Sequence, residues 1–140
     1  MSNSSSENIN IKEYWDSIRK IPTLEVIRRK KPAWTRLETL VGAKLQRQDL
    51  KGVNFFEKNL EGAHLERAHL EEAYLIQANL KNAKLIDAYL NNANLTNADL
   101  QNADLRGAVL EGAVLGGANL TKAKLQKQEL SNMFLRGAIL

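Results

Sequence analysis

The chain contains no cysteine, so disulfides and thiol chemistry are excluded, while the redox compartment stays open. Aromatic residues make up only 6% of the chain, so its core has to be mostly aliphatic. The first ten residues, MSNSSSENIN, lack the apolar segment of a secretory signal, and no apolar run is long enough to cross a membrane. These absences predict a soluble, cytoplasmic protein.

A strong excess of one charge is also missing. The 140 residues include 20 Lys and Arg and 16 Asp and Glu, which gives a net charge of +4. This mild basicity does not by itself predict a nucleic-acid partner, and the length fits one domain.

What the sequence does contain is a five-residue repeat. From Leu45 to Leu140, 19 of the 20 positions spaced by five are Leu, and the other is Phe55. Two residues before each of these positions lies a second column, in which 15 of 20 residues are Ala. Residues two apart in an extended segment point to the same side, so Ala and Leu both face inward and the residue between them faces outward.

The two remaining residues of each unit form a bend. The second of them, from Arg47 to Gly137, is Gly or Asn at 11 of 19 positions, and these residues tolerate the positive φ of tight turns. A helix is excluded because a five-residue step advances by about 140° net and scatters the leucines around the helix axis.

Segments such as ANLTN, ADLQN, ADLRG and ANLTK resemble the A(D/N)LXX signature of pentapeptide repeat proteins, and the match runs from Ala43 to Leu140. The resemblance implies an all-β fold, a right-handed quadrilateral β-helix with four pentapeptides per turn. Residues 41–140 then form a solenoid of about five coils. The family is widespread in bacteria, especially cyanobacteria, and most members have no known role.

The pattern breaks near both ends of the repeat. Gln48 and Lys58 occupy inward positions, which predicts that the first coil is distorted or covered, since a lysine is not buried unpaired. Gln128 and Met133 break the Ala column near Leu140, and two explanations of that end stay open. Either the last coil is covered by a second copy, giving a homodimer, or the chain is a fragment.

The first 40 residues lie outside the repeat. Residues 1–9 are predicted to be disordered, and residues 10–40 to form a short α-helical N-terminal cap or docking segment. Apolar residues at helical spacing support this prediction, Tyr14 and Trp15 among them, and Trp34 is placed over the first coil. The basic run Arg28, Arg29, Lys30 and Lys31 suits a solvated helix end, with a nucleic-acid or membrane surface as the alternative.

No enzyme is predicted, and the sequence indicates no catalytic residue, cofactor or metal. No Ser or Thr lies in a nucleophile motif, and the glycines follow the five-residue register instead of forming a phosphate loop. His64 and His69 have glutamates nearby, but their outward positions fall on neighbouring faces and diverge, so solvated surface residues are expected.

If each coil has 20 residues, the outward positions sort into four columns, two of which collect apolar residues, with Ile76 and Ile86 close to their corners. An apolar cluster on a polar rod predicts a contact surface. The proposed protein-interaction residues are Tyr74, Tyr89, Val109, Val114 and Phe134 on the rod, with Tyr14, Trp15 and Trp34 in the N-terminal segment.

The resulting prediction is a non-enzymatic protein-interaction module, a rigid scaffold or regulator with an unidentified protein partner. The first alternative, implied by the resemblance, is a DNA mimic that protects gyrase. That role needs negative charge, whereas residues 41–140 hold 12 Lys and Arg against 11 Asp and Glu. The second alternative is binding of nucleic acid or a membrane surface by Arg28 to Lys31.

Overall fold

A computed structural model of the chain describes residues 40–126 and 135–140, all within one unit, Thr39–Leu140. In these two ranges the backbone forms no helix, and it alternates a two-residue turn with a three-residue straight segment. The first turn is 41–42, and turns recur every five residues to 121–122, with another at 136–137. Within the same ranges, no helix is long and apolar enough to cross a membrane.

Each straight segment contributes a single strand residue. Lys44 bridges in parallel to His64, and His64 bridges to Lys84, so that the partners are 20 positions apart. Four pentapeptides therefore complete one turn, as the sequence predicts. Coil 1 is 40–59, coil 2 is 60–79, coil 3 is 80–99 and coil 4 is 100–119, and the other described residues belong to coil 5. Successive coils rise by about 4.8 Å.

The outward residues define four faces. Face 1 carries Lys44, His64, Lys84, Asp104 and Lys124; face 2 carries Asp49, His69, Tyr89 and Val109; face 3 carries Asn54, Tyr74, Asn94 and Val114; and face 4 carries Asn59, Asn79, Asp99, Asn119 and Ile139. A two-residue turn forms the corner between each pair of consecutive faces.

Hydrogen bonds within and between coils hold this shape. Within a coil, the N–H of the Ala-position residue closes the turn, as in Ala63 N–H to the Leu60 carbonyl at 3.0 Å. Between coils, the outward residue donates to the preceding coil, and the inward Leu donates to the following one. His64 N–H reaches the Ala43 carbonyl at 2.9 Å, and Leu65 N–H reaches the Lys84 carbonyl at 2.8 Å.

The core consists of the two inward columns. Every Leu and Ala of these columns in coils 2 to 4 is at most 4% exposed. The alternation of a large and a small side chain lets both columns fill the interior of a narrow coil. Truncating a buried Leu to Ala in such a core costs about 2–5 kcal/mol.

The corners confirm the predicted turn chemistry only in part. The second turn residue has positive φ at every described corner, the sign that distinguishes a type II turn. Seven of these residues are neither Gly nor Asn: Arg47, Glu57, Arg67, Glu72, Gln77, Asp87 and Lys122. Stacking of the coils therefore imposes the left-handed conformation even where the local residue disfavours it.

Of the two outcomes predicted for the first coil, distortion is wrong, and a cover stays a prediction because residues 1–39 lie outside the described part of the chain. Lys58 N–H closes its turn to the Phe55 carbonyl at 3.0 Å, and Phe55 N–H donates to the Tyr74 carbonyl at 2.7 Å. Lys58 is half-buried and Gln48 is exposed, although both occupy the Ala column. Val53 of the same column is only 2% exposed, so coil 1 is less enclosed at Gln48 and Lys58 but not throughout. These long polar side chains fit there without bending the backbone.

At the other end of the described coils, Ile139 and Leu140 are 56% and 68% exposed. Ile139 N–H still donates to the Ala118 carbonyl at 2.8 Å, so coil 5 continues the register. Gln128 and Met133, which break the Ala column in the sequence, lie outside the described residues.

Candidate functional site

One N–H group of each pentapeptide has no partner in the backbone ladder. It belongs to the first turn residue, and no such group donates to a backbone oxygen within 40–126 or 135–140. Where the outward residue is Asn or Asp, its side chain accepts this bond. Asn79 Oδ1 accepts from Lys81 N–H at 3.1 Å, and Asp99 Oδ1 accepts from Gln101 N–H at 3.2 Å. The Asn or Asp of the repeat is therefore a turn acceptor, a role that the sequence-based prediction missed.

Face 4 uses this device in each of coils 1 to 4. Asn59 and Asn119 accept from Glu61 and Thr121 N–H groups at 3.2 and 3.1 Å. Asn79 Nδ2 also donates to Asn59 Oδ1 at 3.1 Å, which links two coils. Face 4 in coils 1 to 4 is thus polar and internally bonded, and its side chains are largely occupied in holding their own turns.

Faces 2 and 3 carry the predicted contact residues. Tyr89 and Val109 stand on face 2 and are 39% and 37% exposed, and Tyr74 on face 3 is 39% exposed. Val114 is only partly exposed. Apart from Val41 in coil 1 and Ile139 and Leu140 in coil 5, these are the exposed large hydrophobic residues in the described part of the chain.

The structure divides the predicted cluster into two strips. Tyr74 and Tyr89 lie on adjacent faces, and the corner between those faces is polar. In coils 1 to 4, this corner carries Lys51, Gly52, Glu71, Glu72, Asn91, Asn92, Glu111 and Gly112. Ile86 borders face 2 on its other corner, and Ile76 borders face 3 on its other corner.

The exposed apolar residues coincide with open backbone donors. Tyr74, Tyr89 and Val109 cannot accept the bond that Asn or Asp accepts elsewhere. The N–H groups of Ile76, Asn91 and Glu111 accordingly make no hydrogen bond within the described residues. Faces 2 and 3 therefore present apolar side chains beside unpaired donors.

Face 2 also contains an ordered polar stack. The rings of His69 and Tyr89 are parallel, with centroids 4.7 Å apart and planes inclined by 8°. His69 Nδ1 lies 3.1 Å from Glu71 Oε1. The Glu71 Oε2 atom is buried and makes no hydrogen bond in the described part of the chain. The stack holds the Tyr89 ring upright on its face.

His64 makes a looser version of the same pair, with Nδ1 at 3.6 Å from Glu66 Oε1. It stands on face 1 and His69 on face 2, the neighbouring faces that the sequence predicts. No group of three or more potential metal ligands is found within residues 40–126 and 135–140.

Several predicted site residues fall outside the two described segments. Phe134 lies between those segments, and the N-terminal candidates precede residue 40. The predictions for Tyr14, Trp15, Trp34 and the basic run Arg28, Arg29, Lys30 and Lys31 therefore lie outside the described residues, as do the helical cap and the disordered tail.

Charge is distributed unevenly around the rod. We define the cationic side as face 1 with the turn residues of its two corners. It holds Lys44, Arg47, Arg67, Lys81, Lys84, Arg106, Lys122 and Lys124, against the acids Glu61, Glu66, Asp87 and Asp104. The remaining described residues hold the cations Lys51, Lys58 and Arg136 against Asp49, Glu57, Glu71, Glu72, Asp99 and Glu111. The near-zero net charge of the described residues is thus the sum of a net positive cationic side and a net negative charge on the remaining residues.

Three cations of the cationic side are paired. Arg106 binds both carboxylate oxygens of Asp104, with N–O distances of 2.8 and 2.6 Å. The hydrogen bond from Arg106 lowers the pKa of the Asp104 carboxyl. The Arg67 Nε atom lies 3.7 Å from Asp87 Oδ2, and the Lys81 Nζ atom lies 3.4 Å from Asp99 Oδ2.

Comparison with known proteins supports the five-residue repeat. The family model for pentapeptide repeats matches residues 59–92, 73–112 and 88–126, with eight copies. No curated protein matches the chain with significance.

Two similar crystal structures come from cyanobacteria. The chain is 30% identical to the pentapeptide repeat protein Rfr23 from Cyanothece 51142, covering 75% of this chain and 90% of that one, with a TM-score of 0.40. It is 31% identical to HetL from Nostoc sp. strain PCC 7120, a protein involved in the regulation of heterocyst differentiation. That match covers 73% of this chain and 57% of HetL, with a TM-score of 0.34.

A third similar structure is QnrB1, a plasmid-mediated fluoroquinolone resistance protein. The two sequences are 18% identical, and the match covers 73% of this chain and 57% of the QnrB1 chain, with a TM-score of 0.45. A similarity at this level supports no functional argument. The family model agrees with the five-residue register, and the identity to Rfr23 extends over most of both chains. The chain belongs to the pentapeptide repeat family.

Proposed function

We propose that this protein is a non-enzymatic interaction module that binds a partner protein through the exposed apolar side chains of faces 2 and 3. The observation that carries the proposal is the exposure of Tyr74, Tyr89 and Val109 on sides that otherwise carry polar residues. Tyr is a favoured anchor of protein interfaces because it buries a large area at a small cost in conformational entropy.

The open backbone donors place a requirement on such a partner, although similar donors at Glu66 and Ile86 border face 1. The N–H groups of Ile76, Asn91 and Glu111 border the apolar residues and have no partner in the described part of the chain. A partner that covers Tyr74, Tyr89 or Val109 has to supply carbonyl or carboxylate acceptors beside them, since a buried unpaired N–H is costly. This requirement favours a protein surface with acceptors over a purely apolar ligand.

The His69 stack adds pre-organisation. Because the Tyr89 ring already packs on His69 with centroids 4.7 Å apart, it loses little freedom when a partner binds. Face 4 offers no comparable anchor within coils 1 to 4, since its Asn and Asp side chains are bonded to their own turns.

The test compares three full-length proteins in affinity capture from the source cell's lysate. The first is the unaltered chain, the second carries Tyr74→Ser, Tyr89→Ser and Val109→Ser, and the third carries the control change Lys84→Ser on face 1. The proposal expects a partner that the first and third proteins retain and the second loses, with all three melting as folded proteins. Retention of every captured protein by the triple variant contradicts it.

The N-terminal contribution is a separate part of the proposal. Replacing Tyr14, Trp15 and Trp34 by Ser in the full chain tests whether the same partner also uses that segment. A loss of capture with unchanged melting supports a docking role. Unchanged capture limits the binding site to the rod.

We also propose that two chains associate through coil 5, on the basis of exposed Ile139 and Leu140. Light scattering on the full chain checks this, with Ile139→Asp as the variant expected to be monomeric and Val41→Asp as the control in coil 1. The gyrase alternative gains no support from the charge distribution, because it requires a negative rod and face 1 is positive.

A further inference from the structure

We propose that the cationic side binds the phosphate backbone of a nucleic acid duplex. This surface comprises face 1 and its two corners and is distinct from the apolar strips on faces 2 and 3. The proposal rests on three observations: unpaired cations on one side, two arginines at a corner of that side, and a lack of aromatic residues among the described residues of that side.

The first observation is a set of cations with no ion pair. Five exposed cations of the cationic side have no acidic partner within 4.0 Å among the described residues: Lys44, Arg47, Lys84, Lys122 and Lys124. Lys44, Lys84 and Lys124 share face 1 and recur every second coil, which places them roughly 10 Å apart along the rod. His64 and Asp104 stand between these lysines, and Asp104 is already bound by Arg106. Exposed cations concentrated on one side of the described coils raise the local concentration of a polyanion.

The second observation is the conformation of the arginines. Arg47 and Arg67 occupy one corner of face 1 in successive coils, with φ of 58° and 57°. Gly or Asn is less strained in this conformation, and it is Gly or Asn that fills most corners of coils 3 and 4. Glu57 and Gln77 have the same sign of φ on another corner, so the strain alone identifies nothing. What sets the two arginines apart is that they stand at a corner of face 1, beside its lysines. Arg67 is paired with Asp87, so Arg47 is the one of the two that adds an unpaired cation.

The third observation concerns the type of nucleic acid. The cationic side carries no Phe, Tyr or Trp among the residues that the structure describes. Proteins that bind single strands stack bases on aromatic side chains, whereas contacts to phosphate need only Lys and Arg. The surface therefore fits a duplex backbone, in a sequence-independent manner. The net charge of +4 on the whole chain acts in the same direction.

The experiment is a fluorescence anisotropy titration of the full chain against a short labelled DNA duplex over a series of NaCl concentrations. Roughly three to five phosphate contacts predict that log K falls with log salt with a slope of about −3 to −5. Absence of salt-dependent binding overturns the proposal. So does tighter binding of one of the single strands, or binding of anionic phospholipid vesicles without binding of the duplex.

A matched pair of variants separates this surface from total charge. The first double variant carries Lys84→Glu and Lys124→Glu. The second carries Lys51→Glu and Arg136→Glu, at two residues that lie off the cationic side. Both double variants change the net charge by the same amount. The first pair is expected to weaken duplex binding by about tenfold or more and to reduce the salt slope by about two. The second pair is expected to change affinity by less than about threefold, because its cations lie away from the contact.

Equal weakening by both pairs overturns the proposal, because binding then follows net charge. If either Glu pair fails to fold by circular dichroism, the corresponding Gln pairs replace both and the same ordering is expected with smaller effects.

A corner substitution provides an independent test. Arg47→Asn removes a cation and relieves the positive φ, so it should raise the melting temperature while lowering duplex affinity. Gln77→Asn relieves the same strain on a corner away from face 1, so it should raise the melting temperature and leave affinity unchanged. Unchanged affinity in Arg47→Asn removes this corner from the binding surface and contradicts the role assigned to the strained arginines.

Discussion

Coils 1 and 2 share their hydrogen-bond pattern with coils 3 and 4 but not their corner residues. In residues 40–79, five of the eight positive-φ positions are Arg, Glu or Gln, and three are Gly. In residues 80–119, the eight positions hold four Asn, three Gly and one Asp. The same backbone thus forms with favourable and unfavourable corner residues. The stacked coils impose the conformation, and the corner residues decide how much stability remains.

The largest effect on the free energy of unfolding is expected from exchanging inward residues between coils 1 and 2 and coils 3 and 4. Ala98 lies in the same inward column as Lys58 but is 1% exposed. Ala98→Lys should therefore destabilise coils 3 and 4 by more than about 4 kcal/mol, as an unpaired buried charge does. Lys58→Ala in coil 1 should change stability by far less, because this position is only half-buried. Urea unfolding of both variants checks this, and an Ala98→Lys variant as stable as the unaltered chain would refute the enclosed interior.

A smaller effect is expected from glycines that differ in their surroundings. The side-chain Oδ1 atom of Asp87 occupies the space that a Cβ on Gly107 would need, whereas nothing lies within 4 Å of a Cβ on Gly52. Both residues have positive φ. Gly52→Ala should cost about 1 kcal/mol from backbone strain alone, and Gly107→Ala should cost more because Asp87 also has to move. Equal melting temperatures of the two variants would show that the contact with Asp87 is unimportant.

A still smaller effect on stability is expected from replacing the positive-φ residues at the corners. Glu72→Asn should raise stability by about 0.5–1 kcal/mol, because Asn tolerates the left-handed region better than Glu. The reverse change one coil further, Asn92→Glu, should lower stability by a similar amount. Thermal unfolding of the two variants gives shifts of opposite sign. Shifts of the same sign would mean that side-chain contacts outweigh the backbone term at these corners.

The smallest effect on stability is expected from the ion pair of Asp104 and Arg106. Arg106 binds both carboxylate oxygens, but its side chain is exposed to solvent. The pKa of Asp104 is lowered, so the pair stabilises the fold above the carboxyl's ordinary pKa, and this stability is lost as pH falls through the lowered pKa. Asp104→Asn should be slightly less stable than the unaltered chain at neutral pH. The difference should vanish in acid. Because Asn also accepts the turn hydrogen bond from Arg106 N–H, a difference in stability that persists at low pH would contradict its origin in the ion pair.

The sequence predicts the inward columns and the positive-φ corners, because both follow from a strict five-residue register, and the four-sided coil is what the family resemblance implies. It predicts Tyr74, Tyr89 and Val109 on the surface for the same reason. It cannot show that the corner between faces 2 and 3 is polar enough to divide them, since this depends on residues 20 positions apart that meet only after folding. The cationic side is missed for that reason as well. The turn-capping role of Asn79 is different, since its bond from Lys81 N–H is local and Asn is a common turn acceptor, so the sequence carried a signal for it.

Distortion is the outcome expected for the first coil that the structure contradicts. It requires every position of the Ala column to be enclosed, whereas Lys58 of coil 1 is half-buried although Val53 of the same coil is 2% exposed. A charge in a periodic core position is therefore weaker evidence of distortion in the first coil than in an inner coil.

Stability resides in the inward columns of this rod, and we propose that recognition resides in its faces. The most direct test measures the melting temperature and partner capture together for the variant carrying Tyr74→Ser, Tyr89→Ser and Val109→Ser. The expected result is a melting temperature close to that of the unaltered chain, with loss of the captured partner. Full capture by the folded variant would contradict this division of roles.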